Sequence, residues 1–372
     1  MPKLKTWVEI KQKAVENNIR QIKSLLKPKT KLWAVVKSNA YGHGLINFSL
    51  IAQQSGADGF CVDSVPEGLK LRKAVIKKPI LVLGPTLFRD LMEEARKNNL
   101  AITISNFENL PNLLKIKNKP QFHIKIDSGM HRQGFYPSEI PKLIKTIKAK
   151  KLSGQLEGIY THFASAKDLN YPTYTDLQFA NFGKAVSLFK KAGFAGLTCH
   201  AAATGGTLIN QKYHLDAVRT GIGLYGLWPS KELELQVKNL RLQPVLSWHS
   251  LISEIKTLKK GDFIGYDLIE RTPENTRMAI IPIGYWHGFP RSLSGIGEVL
   301  INGKRAKILG RFAMDIIAVD IKINPCKTGD KATFIGSQKS DRLLAFDVAL
   351  KSGTTHYEFL TRINPLIERI TV

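Results

Sequence analysis

Along the first two thirds of the chain, apolar residues come in short bursts. Longer stretches lie between them, in which apolar positions recur every three or four residues. The bursts are "LWAVV" (32–36), "GFCV" (59–62), "ILVL" (80–83), "AITI" (101–104), "FHIKI" (122–126), "LEGIYT" (156–161), "LTCH" (197–200) and "AVRTGIGLYG" (217–226). Runs of this length and type predict buried strands. Between them, "PSEIPKLIKTIKAK" places Ile140, Leu143, Ile144 and Ile147 on one helical face. "TDLQFANFGKAVSLFKKAG" predicts another helix, stopped at Gly193. Eight such strand–helix units predict an α/β fold of the (β/α)8 TIM type.

After about residue 236 the texture changes. "PVLSWHSLISEIKTL", "RMAIIPIGY", "GEVLING", "KRAKILGRFAMD", "IIAVDI" and "KATFIG" read as strands joined by Gly, Asn and Asp turns. "INGKR" carries the Asn-Gly hairpin signal. The barrel is therefore assigned to residues 10–235 and a C-terminal, mostly β domain to 236–372. The opening strand "TWVEI", within residues 1–9 and their edge, is a candidate to join the second domain.

Composition narrows the picture. A chain of 372 residues with 43% hydrophobic content can bury a sizeable core. No stretch approaches the ~18 apolar residues of a membrane span. The charged start "MPKLKTWVEIKQKAV" lacks a secretory apolar region. Cys61, Cys199 and Cys326 are odd in number and far apart, which suggests a reducing compartment, and a cytoplasmic location is expected. The formal net charge is +25, but only 15 of the 55 basic residues are arginine and they are dispersed. Without a basic block interleaved with aromatics, a solvated lysine-rich surface is expected and nucleic acid is not expected as a partner.

The chemistry is carried by polar residues at strand ends, where barrel sites form. Lys37 follows the first barrel strand, Lys125 lies in the fifth with Arg132 in the loop after it, His162 and His200 end the sixth and seventh, and Arg219 lies in the eighth. Singly, each has a bland reading: a satisfied core histidine, or a lysine paired with a carboxylate. Six at one end of a barrel point to a site. There is no GxGxxG after a strand, no Walker loop and no HExxH or close His/Asp set for a metal. A lysine ending a buried strand is costly unless paired or used. Desolvation disfavours its ammonium form, so the amine can form a Schiff base with a carbonyl or with pyridoxal phosphate. "RTGIG" adds glycines and backbone N–H groups at the usual barrel phosphate position.

"VVKSNAYGHG" resembles the pyridoxal-lysine motif of alanine racemases. "KIDSGMHRQGF", "THFASA", "CHAAATGGTL", "VRTGIGLYG", "IPIGYWHGFPR", "GRFAMD" and "HYEFL" resemble that family's other blocks, in order, over essentially the whole chain. The resemblance implies that Lys37 holds pyridoxal 5'-phosphate and acts as one acid/base, with Tyr285 as the other on the opposite face of the substrate. It implies His162 as the hydrogen-bonding neighbour of that tyrosine and Arg219 as the partner of the pyridine nitrogen. Tyr41, Thr204, Gly221, Ile222 and Tyr357 match cofactor-phosphate contacts, and His200 belongs to the cofactor-binding set. Arg132, Met314 and Asp315 match the substrate side, and Lys125 matches a lysine that is often carbamylated. The family pattern also implies a homodimer in which Tyr285 of one subunit acts on the Lys37 site of the other, and D-alanine supply for peptidoglycan. A broad-specificity racemase or another pyridoxal barrel enzyme, such as a decarboxylase, is the alternative. The chain departs from the pattern at Trp286 and His287, where an Ala-Asp pair is common, and at Ala203, Lys167 and Ala313. Loss of the carboxylate at 287 is expected to disturb the loop after Tyr285.

Overall fold

The structure is a computed structural model that describes residues 4–168 and 172–372. It forms two compact units. One comprises Lys13–Ala40 and Leu45–Gln243; the other comprises the described residues up to Gln12, Tyr41–Gly44 and Pro244–Val372. The first strand, β1 (Thr6–Ile10), belongs to the second unit.

The first unit is the expected barrel. Strands β2 (Lys31–Val35), β3 (Gly59–Val62), β4 (Ile80–Pro85), β5 (Ala101–Ile104), β6 (Phe122–Lys125), β7 (Leu156–Tyr160), β8 (Thr198–His200) and β9 (Ala217–Thr220) close on themselves in order. All pairs are parallel, and β9 meets β2 with Arg219 opposite Trp33. The helix Ile140–Ala149 buries the four predicted apolar positions. The helix Pro172–Lys191 buries Phe182, Ala185 and Phe189, and the chain turns out of it at Gly193 with φ +87°. The last barrel strand is shorter than the apolar run 217–226 suggests. At Gly221 the chain leaves the sheet (φ −111°, ψ −92°), and Ile222–Tyr225 form a 3-10 turn closed by left-handed Gly226. That turn is buried because Tyr225 Oη donates to Val35 O at 2.8 Å, so its apolar residues are core without being strand.

The barrel interior is unusually polar. Trp33, Cys61, Thr103, His123, Lys125, Tyr160, His200 and Arg219 are all buried. Tyr160 and His200 stack with ring centroids 4.9 Å apart, and Trp33 lies 5.0 Å from His200 and 5.6 Å from His123. Tyr160 Oη and Thr103 Oγ1 share a hydrogen bond of 2.9 Å. Room for the His123 ring comes from Gly158 on the paired strand, where a Cβ would stand 2.4 Å from the ring atoms Cε1 and Nδ1.

The second unit is a ten-stranded sheet. Its further strands are β10 (Leu246–Leu251), β11 (Glu254–Leu258), β12 (Thr276–Ile281), β13 (Glu298–Ile301), β14 (Lys304–Leu309), β15 (Ile317–Asp320), β16 (Lys331–Gln338), β17 (Asp341–Leu343) and β18 (Arg369–Thr371). β1 pairs antiparallel with β10 and parallel with β18, as the opening strand's candidacy suggested. β13 and β14 meet at Asn302 and Gly303, both with positive φ, the conformation of the predicted Asn-Gly hairpin. Trp248, Phe289, Phe312 and Phe334 form an aromatic core. Two runs differ from the apolar pattern: "PVLSWHSLISEIKTL" breaks between β10 and β11, and β12 stops at Ile281 before Tyr285. The block "HYEFL" lies in the helix His356–Thr361. Among the described residues, no helix is long and apolar enough to cross a membrane.

Gly158→Ala is expected to lower unfolding free energy by ~1–3 kcal/mol, because the added methyl has no space beside His123. Gly154→Ala, where a Cβ would meet nothing within 4 Å, is the control and is expected to be near neutral. Urea unfolding of both variants checks this; equal midpoints would contradict the packing.

Candidate active site

The barrel unit brings together a cluster at the C-terminal ends of its strands. Lys37 stands two residues after the end of β2. After it, Ser38, Asn39, Ala40 and Tyr41 all have φ between 52° and 55°. Left-handed backbone costs ~1–2 kcal/mol per residue outside glycine, so this turn is held by specific bonds. Ser38 N–H donates to Glu67 Oε1 at 2.7 Å, Leu45 N–H to Asn39 Oδ1 at 2.9 Å, and Ala40 N–H to Val36 O at 2.8 Å. The same Glu67 accepts Asp63 N–H at 2.8 Å, and Asp63 stands 3.7 Å from Lys37 Nζ. The Lys37 side chain is 40% exposed. The desolvated lysine expected from the buried strand is therefore not present in the single subunit, because the turn carries Lys37 out of the strand.

Arg219 is the centre of the cluster. It is 2% exposed. Its Nη1 donates to His200 Nδ1 at 2.7 Å, and its Nη2 donates to Thr161 O at 2.6 Å and Ala201 O at 3.1 Å and lies 3.5 Å from His162 Nδ1. Its guanidinium also lies 5.0 Å from the Tyr160 ring. Among the described residues no carboxylate pairs with it. Burial and the Arg219 charge push His200 well below the usual imidazole range, and burial, then Arg219, Lys125, Arg132 and Lys37, do the same for His162. Both imidazoles are neutral. His200 is fully buried beneath Arg219, so its structural contact is with the guanidinium.

Lys125, at the end of β6, is buried and reaches Gln133 Oε1 at 3.4 Å and the Tyr160 ring at 5.5 Å. No carboxylate pairs with it among the described residues. Burial, with Arg132 and Arg219 adding to it, lowers its pKa to about 7. Its ammonium form is thus disfavoured, which leaves the amine more readily available than in an ordinary lysine. The next loop is folded around Asp127, whose carboxylate accepts the N–H groups of Gly129, Met130, His131 and Arg132 at 2.9–3.0 Å. Burial works to raise the Asp127 pKa, but these four bonds outweigh it and hold the group ionised. This positions the exposed Arg132.

Two more loops close the cluster. Thr204 Oγ1 accepts Gly221 N–H at 3.2 Å and Gly223 N–H at 3.3 Å, so the loop after β8 is tied to the loop after β9, with Ile222 between the two glycines. Gly223 must lack a side chain here, since a Cβ would stand 2.8 Å from Thr204 Cγ2. The Thr204 hydroxyl makes this tie.

The remaining sequence-predicted residues lie in the second unit. Tyr285 begins a short 3-10 turn, and Trp286 N–H donates to Met314 O at 3.0 Å. Gly284 allows this approach, as a Cβ there would stand 2.3 Å from the carbonyl oxygens of Ala313 and Met314. Tyr285, Trp286 and Met314 are 43%, 55% and 55% exposed, and Asp315 is exposed. With histidine at 287, the loop after Tyr285 forms a 3-10 turn closed from within. His287 is buried, and its Nδ1 accepts Gly284 N–H at 3.2 Å with Asp315 at 3.9 Å. A neutral imidazole thus does the closing. Tyr41 and Tyr357 approach each other with ring centroids 6.3 Å apart, and burial together with Tyr41 pushes the Tyr357 phenol up.

The donor set of the barrel cluster fits a pyridoxal phosphate. An amine stands at Lys37. A buried guanidinium without a carboxylate can donate to a ring nitrogen. Two glycine-containing loops joined by a hydroxyl can turn backbone N–H groups to a phosphate. Among the described residues there is no group of three His, Cys, Asp or Glu that could hold a metal ion.

Comparison with known proteins agrees with this architecture. The family model "Alanine racemase, N-terminal domain" matches residues 10–229, and "Alanine racemase, C-terminal domain" matches residues 245–371. The chain belongs to the alanine racemase family. It is 35% identical to the alanine racemase of Leptospira interrogans, over 99% of this chain and 96% of that one. It is 37% identical to that of Listeria innocua, over 98% and 97%. A crystal structure of alanine racemase from Bacillus anthracis with bound L-Ala-P superposes with a TM-score of 0.93 at 37% identity, covering 100% of this chain and 96% of that one. One from a D-cycloserine-producing Streptomyces lavendulae gives 0.91 at 30% identity, covering 100% and 98%.

Family motifs pointed to the residues that carry charge, but not to those that hold them. Asp63, Glu67, Asp127, His123 and Tyr160 were not singled out from the sequence. Asp127 had a readable signal, since an Asp followed by Ser-Gly is a loop-folding carboxylate. Glu67 had none, because its role depends on a turn that propensity alone argues against.

The histidines give a pH prediction. His123, His162, His200, His214, His249 and His287 all lie below the usual imidazole range, with burial the largest cause in each. The unfolded chain takes up protons near ~6.5 while the folded chain resists them. Stability is therefore full above ~6.5 and falls as pH drops, by up to ~1.4 kcal/mol per pH unit for each buried imidazole between its unfolded and folded values. For His249 that window ends at about 4. The urea midpoint is expected to be lower at pH 5 than at pH 7.5; equal midpoints would contradict buried neutral imidazoles.

Proposed function

We propose that this protein is an isomerase that interconverts L- and D-alanine using pyridoxal phosphate. We further propose that it works as a homodimer whose two active sites each combine residues of both subunits. The observation that carries the reading is Arg219: a buried guanidinium, unpaired by any carboxylate among the described residues, beside the loops after β8 and β9. End-to-end similarity to alanine racemases supports the alanine substrate over a decarboxylase or a broad-specificity racemase. The proposal extends to D-alanine supply for peptidoglycan, which family membership supports, and to a cytoplasmic location.

Lys37 would hold the cofactor. Arg219 would donate to its ring nitrogen. Thr204, Gly221 and Ile222, with Tyr41 and Tyr357, would hold its phosphate. The bound cofactor supplies an aldehyde carbon and an electron-withdrawing ring that acidifies the substrate Cα–H. Arg219 has only donors and keeps its proton, so it leaves no proton on the ring nitrogen. This moderates electron withdrawal and favours return of a proton to Cα over diversion to other products.

Inversion at a planar Cα needs one acid/base on each face. Lys37 Nζ serves one face, and Tyr285 of the partner subunit serves the other. One accepts the proton leaving Cα and the other delivers a proton from the opposite side. Free tyrosine has a pKa near ~10 and needs help to act as a base. His162 can provide it. Arg219 Nη2 lies 3.5 Å from its Nδ1, a side on which an N–H would face a donor; with the proton on Nε2 instead, His162 would donate to a phenolate oxygen. Arg132, with Met314 and Asp315 of the partner subunit, would meet the substrate carboxylate side.

The test is a racemase assay on purified protein loaded with pyridoxal phosphate, across L- and D-amino acids. Fast interconversion of alanine is expected. Lys37→Ala and Tyr285→Phe are each expected to lose at least ~100-fold in kcat, and mixed Lys37→Ala/Tyr285→Phe heterodimers should recover activity. Heterodimers that form yet stay inactive would refute shared sites.

Lys125 is proposed to react with CO2. Its neutral amine forms an N–C bond and loses one proton, leaving a carbamate beside Arg132. Supply of 13C-labelled CO2 should give one carbamate carbon resonance per subunit, absent in Lys125→Ala. Its absence from the wild-type protein would remove the assignment.

A further inference from the structure

Below Arg219, hydrogen bonds continue through the barrel interior. Arg219 Nη1 to His200 Nδ1 is 2.7 Å, and His200 Nε2 to His123 Nδ1 is 2.9 Å. The hydrogen bonds end there: His123 Nε2 is buried without a hydrogen-bond partner among the described residues, and Glu157 Oε2 stands 3.8 Å from it. The far end lies at an open cavity of about 590 Å³ lined by Trp33, His123, Glu157 and the first residues of β4, β5, β7 and β8, Ile80, Ala101, Leu156 and Thr198. Those strand-starting residues place the cavity at the N-terminal end of the barrel, opposite the Lys37 cluster.

We propose that His123 ends a one-way hydrogen-bond chain below Arg219, with the Glu157 carboxylate facing its outer nitrogen as a nearby charge, and that His123 is a positioning residue for Arg219. The inference rests on the racemase reading of Arg219 and extends it. The direction follows from donor count. A guanidinium can only donate, so His200 Nδ1 must accept. A neutral imidazole has one N–H, which places the His200 proton on Nε2, pointing at His123. His123 Nδ1 must then accept, and its proton lies on Nε2, toward the Glu157 carboxylate. Every link is fixed by the one above it. Gly158 makes the geometry possible, because any side chain there would meet the His123 ring.

The consequence is mechanical. If position 123 cannot accept, His200 Nε2–H is stranded among Trp33, Tyr160 and His123, where a lost partner is costly. Moving the proton to Nδ1 relieves that, but then a donor faces the Arg219 donor at 2.7 Å, and Arg219 must withdraw. Arg219 serves the cofactor ring and not the substrate carboxylate, so kcat should fall with little change in KM.

The test compares two variants of equal size on the protein loaded with pyridoxal phosphate. Asparagine can place an amide oxygen near the His123 Nδ1 position; leucine has the same shape and no acceptor. His123→Leu is expected to lower kcat about tenfold or more with KM for alanine within about threefold, whereas His123→Asn stays within about threefold of wild type. Glu157→Lys, at a half-exposed rim position, puts a donor opposite His123 Nε2–H and should lower kcat about threefold. Ring 15N spectra of histidine-labelled protein should show wild-type His200 and His123 both protonated on Nε2. In His123→Leu, the His200 proton should move to Nδ1. A folded His123→Leu with wild-type kcat would overturn the relay. So would a proton on Nδ1 of either histidine in the wild type, a result that needs no variant to fold. Absence of racemase activity in the wild type would instead refute the functional reading, and the 15N result would still decide the relay.

Discussion

Burying Arg219 with no carboxylate partner among the described residues is the constraint around which the barrel is arranged. A buried guanidinium is expensive unless its donors are met. Here two backbone carbonyls, one neutral imidazole and the face of a tyrosine meet them. None of these neutralises the charge, so the field of Arg219 extends over its surroundings. It helps hold His162 and His200 unprotonated, and it adds to the burial and the Arg132 charge that lower Lys125. The hydrogen-bonding roles proposed for this cluster need neutral imidazoles. A carboxylate beside Arg219 would quench that field and let the imidazoles and Lys125 recover charge.

A second constraint acts on Lys37. Four successive non-glycine residues in left-handed backbone store strain. Glu67 holds two strand-end amides and Asn39 caps the returning chain. The turn takes Lys37 out of β2 and into partial exposure, which is what an amine must have if a cofactor is to reach it. Sequence reasoning took the opposite route to the same residue, treating the strand end as the source of desolvation. In the single subunit that desolvation is missing, so bound cofactor or a second chain would have to provide it.

Strand–helix alternation was legible because each barrel strand is a short apolar run bounded by polar turns. The run 217–226 misled because a buried 3-10 turn and a buried strand look alike in composition; only Gly221 and Gly226 marked the difference. The same confusion extended β12 toward Tyr285. Residues that bear charge at strand ends were also legible. His287 was not, since its part as an acceptor for Gly284 N–H depends on a three-residue turn that no periodicity signals. Glu157 was invisible for a different reason: as a half-exposed strand residue it has no local feature that distinguishes it from an ordinary surface carboxylate.

The second unit poses the complementary problem. Tyr285, Trp286, Met314 and Ile316 expose large apolar surfaces on two loops tied by backbone bonds. At ~25 cal/mol per Å² of apolar surface, leaving such a group in water forgoes several kcal/mol that packing would recover. Single exposed apolar side chains need no explanation, but a cluster around a rigid 3-10 turn does. The turn's rigidity matters chemically as well as energetically. The role proposed for Tyr285, meeting one face of the substrate Cα, requires a backbone that does not rotate. Gly284 pressed between two carbonyls, with His287 closing the turn from within, fixes the backbone from which Tyr285 projects. An exposed, preorganised phenol of this kind is what a shared site requires of the subunit that lends it.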